Sequence, residues 1–222
     1  MQKFDTPTPV SVVLDVPAGH IRFIAADRAD TTVEVLPADG SKSRDVKAAE
    51  RTEVGYAGGV LRIGAPAAKK QYFGPSGAVE ITVQLPAGSR VEAAAACAEV
   101  RGVGRFGEVV FEGAQGAVRI DEAESVRVTT SGGDVTVGRL SGSAEITTGR
   151  GDIRITEALR GTVVLSTQMG DVSVGAAAGV SASLDAGTGY GRVLNALRNG
   201  DGTPGLAITA TTGHGHIDAR SL

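Results

Sequence analysis

Apolar and polar residues alternate with period two along most of this chain, in short runs separated by glycine. Alternation of that kind predicts strands with one face buried, because successive side chains of a strand point to opposite sides. In the second half the runs have a fixed preface, a Thr-x-x-Gly tetrad. It occurs at Thr130–Gly133, Thr148–Gly151, Thr167–Gly170, Thr188–Gly191 and Thr212–Gly215, and each copy leads into DVTV, DIRI, DVSV, RVLN or HIDA. Successive glycines lie 18, 19, 21 and 24 residues apart. A period near 20 with strand chemistry predicts a solenoid, each repeat being one coil stacked on its neighbour.

A second half-coil type alternates with the first. Its copies are Ala144–Thr148, Val163–Thr167, Ala182–Ala186 and Ile208–Thr212. Parity places Val135, Val137, Ile153, Ile155, Val172 and Val174 inside, together with Ile146, Leu165, Leu184 and Ile208. The same rule turns Thr130, Thr148, Thr167, Thr188 and Thr212 inward beside the turn, where their hydroxyls are expected to bond one another or the turn backbone. The glycine three residues on, at 133, 151, 170, 191 and 215, is expected at positive φ.

The first part of the chain holds longer strands. Val10–Val16 and Val79–Leu85 each run into Pro-Ala-Gly, and each strand is expected to end or lie on an edge there, since proline donates nothing to a ladder. Further strands are expected near 20–25, 31–36, 51–56 and 60–63. Residues 65–77 read as a surface loop. Asp45–Glu53 carries charges without an apolar stripe of period 3.6, so it reads as a loop or a single turn. The overall expectation is an all-β chain. Residues 1–90 form an antiparallel β-sheet or sandwich-like region, continuous with a single-stranded β-helix of about five coils over 91–222. The final coil, ending HIDARSL, lacks an evident cap, so an open solenoid end that invites another chain is expected.

Composition sharpens this picture. Thirty-two glycines serve the turns, and aromatics at 4% leave a narrow core of Val, Ile, Leu and Ala. A net charge of -3 gives no footprint for nucleic acid. No apolar run approaches a membrane span and no leader pattern is visible, so a cytoplasmic protein is expected. The single cysteine, Cys97, excludes an intrachain disulfide and reads as a buried small hydrophobe.

The repeated G-D-[VI]-x-[VI] runs, the intervening A-x-[VI]-x-[TS] runs and an upstream strand ending in Pro-Ala-Gly resemble the bacterial putative-adhesin family of DUF4097 type. The resemblance covers nearly the whole chain. It implies a β-helix and, by the family's name, surface attachment; many relatives look exported or membrane-anchored. It implies no catalytic residues.

Candidate chemistry is sparse. Asp134, Asp152 and Asp171 recur at one outward position, and stacked carboxylates repel by roughly 1 kcal/mol per pair in water-like surroundings. A cation would relieve that, as would backbone N–H groups at each turn. Arg150-Gly151-Asp152 spells the integrin tripeptide, yet its glycine and aspartate are ordinary repeat positions. His214 and His216 are two apart, the start of a zinc site without a third ligand of recognisable spacing. Tyr190, Arg192 and the 195–205 loop interrupt the regular face and mark the first place to seek a ligand. No catalytic set, cofactor or metal site is expected. The leading function is therefore a non-enzymatic scaffold or interaction module that binds a protein partner or itself. A glycan- or surface-binding adhesin is the alternative, and a polysaccharide-cleaving enzyme the third reading.

Overall fold

A computed structural model describes residues 1–64, 77–199 and 204–222. Most of the expected surface loop at 65–77 and part of the 195–205 loop lie outside the described residues. The chain divides into two compact units, Met1–Gly116 and Ala117–Leu222.

The first unit contains β1 (Gln2–Asp5), β2 (Ser11–Ala26), β3 (Asp30–Pro37), α1 (Ser43–Arg51), β4 (Glu53–Ala57), β5 (Val60–Gly64), β6 (Val79–Pro86) and β7 (Arg90–Gln115). The expected antiparallel pairing is present at β1–β3, β3–β6 and β4–β5. Parallel pairing begins at β2, which lies along β7 on one side and along β5 and then β6 on the other. Val12, Leu14, Ile21, Phe23, Leu61, Ile81, Val83 and Phe106 fill the core.

Two local expectations are corrected here, at residues 43–51 and at Cys97. At Pro17 β2 does not end but, in line with the other alternative expected there, lies locally on an edge. Its pairing with β5 stops at Asp15 and its pairing with β6 starts at Gly19, so proline falls in the gap and its missing N–H breaks no ladder. Residues 43–51 are a helix, not a loop. Tertiary anchoring overrides the weak stripe: Asp45 sits buried in the first turn and its Oδ1 accepts the Ala78 N–H at 3.0 Å. Cys97 is exposed. Ala95 and Ala98 are both buried, so the corner at 96–97 turns two consecutive residues outward and breaks the alternation.

The second unit contains β8 (Val118–Gly132), β9 (Val135–Leu140), β10 (Ala144–Arg150), β11 (Ile153–Ala158), β12 (Gly161–Met169), β13 (Val172–Ala176), β14 (Ala182–Tyr190), β15 (Val193–Ala196), β16 (Leu206–His214) and β17 (Ile217–Ser221). Its strands form two parallel ladders. One runs β8–β10–β12–β16–β14. The other runs β8–β9–β11–β13–β17–β15. Inward rows are apolar: Val126, Ala144, Val163, Ile208 and Leu184 align on one side, and Val118, Val135, Ile153, Val172, Ile217 and Val193 on the other. All but Leu184 and Val193 are buried.

The coils do not stack in chain order. The last coil, β16–β17, lies between the third, β12–β13, and the fourth, β14–β15. The expectation that each coil covers its predecessor therefore fails at this end. The open end is the fourth coil, not the C-terminal one. Side chains give a reason. The last coil presents Leu206, Ile208, Ala210, Ile217 and Ala219 to the interior, all buried. The fourth coil has Asn195 at an inward position, in register with Ala219, where only an open end leaves an amide solvated.

Candidate interaction site at the terminal coil

The repeat residues form a corner column. Thr130, Thr148, Thr167, Thr212 and Thr188 are in register, in that spatial order. Four are buried and Thr188, on the outer coil, is half-buried. Their hydroxyls bond the turn backbone, one of the two expected uses. Thr148 donates to Gly133 O at 3.4 Å, Thr167 to Gly151 O at 3.1 Å, Thr212 to Gly170 O at 2.9 Å and Thr188 to Gly215 O at 3.0 Å. Thr130 donates within its own turn, to Gly132 O. Gly133, Gly151, Gly170, Gly215 and Gly191 all have positive φ, as expected. A Cβ on any of the last four would collide with the carbonyl oxygen of the glycine one coil below.

The aspartate column is spent in the same way. Asp134 Oδ1 accepts the Asp152 N–H at 2.9 Å, and Asp152 Oδ1 accepts the Asp171 N–H at 2.8 Å. Asp171 Oδ1 accepts the His216 N–H at 2.7 Å, and His216 Nδ1 accepts the Arg192 N–H at 3.1 Å. Each side chain at this position receives the equivalent N–H of the next coil. That arrangement removes the need for a cation, because a charged acceptor on a backbone donor stabilises the carboxylate. Among the described residues no three His, Cys, Asp or Glu side chains gather as metal ligands. Asp152 of the Arg150-Gly151-Asp152 tripeptide is thus a rung of the column.

The column ends at Arg192, on the fourth coil, which has no side-chain acceptor to pass on. Tyr190, in register with His214, stacks on that imidazole at 4.9 Å with the rings 13° apart. Tyr190 is 74% exposed, Leu194 59% and Val193 41%. Leu184, Ala186 and Thr188 are only half-buried, because no coil covers them. Among the described residues the edge is closed at its start, where the Ala182 N–H donates to Arg198 O. Among the described residues no strand pairs with the outer side of β14 or β15. The structure brings Tyr190 and Arg192 together with His214 and His216, and leaves Asp134, Asp152 and Asp171 on the covered coils. Sequence reasoning did not find Leu184, Ala186 and Val193 as surface; their repeat positions are core positions in every inner coil, whereas Leu194 stands at an outward position in register with Asp218.

The segment 94–203 matches the family model described as Toastrack DUF4097. The chain belongs to this family. The Toastrack chain also resembles solved structures. A putative adhesin from Bacteroides fragilis is 15% identical, with 98% of this chain and 95% of that one covered and a TM-score of 0.56. A putative adhesin from Parabacteroides distasonis is 15% identical over 98% and 95%, with a TM-score of 0.48. A putative cell adhesion protein from Clostridium sporogenes is 12% identical over 100% and 98%, with a TM-score of 0.42. At such identities the first of these shows a shared fold. No curated protein matches the chain. Among the described residues of this Toastrack protein, no helix is long and apolar enough to cross a membrane.

Proposed function

We propose that this Toastrack protein is a non-enzymatic interaction module whose working surface is the uncovered edge of its fourth coil. One observation carries the reading. Along the inner coils the threonine and aspartate side chains are used in stacking, whereas on the outer side of β14 and β15 no strand among the described residues pairs with the backbone or covers the apolar side chains. An open strand edge binds by strand addition, with main-chain bonds for affinity and alternate side chains for selection. The test is capture from native cells with wild-type protein and with Leu194→Asp. Partners that depend on Leu194 support the reading. An identical set of partners for both proteins contradicts it.

Tyr190 favours a second reading, a glycan-binding adhesin. A flat exposed ring, braced from one side by His214, is a platform on which a sugar face stacks. A glycan array that shows binding by wild type and none by Tyr190→Ala supports it; an empty array dismisses it. The two readings also differ in place. The first accords with the cytoplasm and the second requires export, so fractionation of the native cell separates them.

A further inference from the structure

We infer that the occupant of the open edge is a second copy of this chain, paired antiparallel through β14 about a two-fold axis at Ala186. This rests on the edge being the working surface. Four observations lead to it. First, the edge lacks the usual protection: 182–196 contains no lysine and no proline, and its formal charges are Asp185 and Arg192, which cancel. Second, the free stretch has a fixed centre. β14 runs from Ala182 to Tyr190, and the midpoint of that strand is Ala186. Third, antiparallel pairing about that centre preserves parity. Inward Leu184 meets inward Thr188 of the copy, Ala186 meets itself, and Asp185 faces Gly187, so no like charges oppose each other. Fourth, the half-buried Leu184, Ala186 and Thr188 are the inward residues that a covering coil shields elsewhere in this unit, and a copied coil has the same strand length and the same small side chains. Two-fold self-pairing closes the edge on both molecules at once, so assembly stops at a dimer.

Light scattering on the full chain is expected to give twice the monomer mass. Ala186→Lys and Ala186→Asp, each placing two like charges on the axis, are each expected to halve it, and mixing the two variants is expected to restore the dimer. Circular dichroism confirms that both variants fold. Should either fail to fold, Ala186→Cys in a Cys97→Ser background provides the independent readout: mild oxidation gives one disulfide-linked dimer, whereas Glu145→Cys in the same background gives none. A wild-type monomer at every concentration overturns the inference, as does a dimer that survives Ala186→Lys or an Ala186→Cys protein that does not cross-link. If wild type is monomeric and partner capture still depends on Leu194, the self-pairing alone is wrong and the edge reading stands. If capture ignores Leu194 as well, both are wrong.

Discussion

Replacing Gly170 by alanine tests the corner column at the middle of its stack. Gly170 has φ of 147°, and a methyl group there runs into Gly151 O one coil below, with Asp152 Oδ1 3.0 Å away. The obstacle is backbone, so no side-chain rotation relieves it. Two costs add. Holding alanine in a region open to glycine costs about 1–3 kcal/mol. Lifting the coil also weakens the bonds that cross at this corner: Gly151 N–H to Met169 O at 2.8 Å, Thr167 to Gly151 O, and Asp171 N–H to Asp152. At about 0.5–1.5 kcal/mol net for each bond, losing two costs about 1–3 kcal/mol. The expected loss is therefore about 4 kcal/mol. Two controls separate the terms. Gly179 has φ of 79° and nothing within 4 Å of an added Cβ, so Gly179→Ala reports strain alone, about 1–2 kcal/mol. Gly187 has neither a positive φ nor a neighbour, so Gly187→Ala is neutral or stabilises by about 0.4–1 kcal/mol through the unfolded chain. Urea unfolding followed by circular dichroism ranks the three. If Gly170→Ala loses no more than Gly179→Ala, the glycine-on-glycine contact does not limit the coil spacing.

Other outcomes follow from the same geometry. Thr167→Val keeps shape and removes the hydroxyl donor from a buried corner, which is expected to cost about 1–2 kcal/mol; Thr188→Val, on the solvated outer coil, is expected to cost under about 0.5 kcal/mol in the same urea assay. Asp30 is held down to about 2 from the usual 3.8, first by its hydrogen bond from Arg28 and then by Lys3. A depressed carboxyl stabilises the fold above its unfolded value, so this contribution is complete above pH 3.8 and fades as pH falls toward 2. An NMR titration should place its midpoint near 2 and, in Arg28→Ala, closer to 3.8. The exposed Cys97 should react with a thiol reagent in native buffer; reaction only after denaturation would contradict its placement at an outward corner.

Much of the second unit was legible because strand parity and the threonine–glycine corners do not depend on which coil lies next door. Val135, Ile153 and Val172 point inward whatever covers them. The same independence hid the coil order. Every coil presents threonine, glycine and an apolar pair at equivalent places, so β16 fits over β12 as well as β14 does, and the sequence period alone favours the wrong neighbour. The candidate site followed that error. Tyr190 and Arg192 stand out as departures from the repeat, whereas Leu184 and Val193 look like core until the coil that should cover them is found on their other side. In the first unit the misses were local. Cys97 sits at a corner that breaks the alternation, and α1 is held by a backbone N–H at Ala78, far along the chain from Asp45.

The insertion of the last coil is the claim on which the site depends, and engineered disulfides test it most directly. Ser166 is in register with Thr211, whose hydroxyls lie 3.2 Å apart, and Thr211 is in register with Gly187. Adjacent parallel strands are about 4.8 Å apart, within disulfide reach, and alternate strands about 9.6 Å, beyond it. In a Cys97→Ser background, Ser166→Cys with Thr211→Cys should form an intramolecular disulfide under mild oxidation, and Ser166→Cys with Gly187→Cys should not. The reverse result, with 166 bonded to 187 and not to 211, would mean that the coils stack in chain order and that the fourth coil is covered.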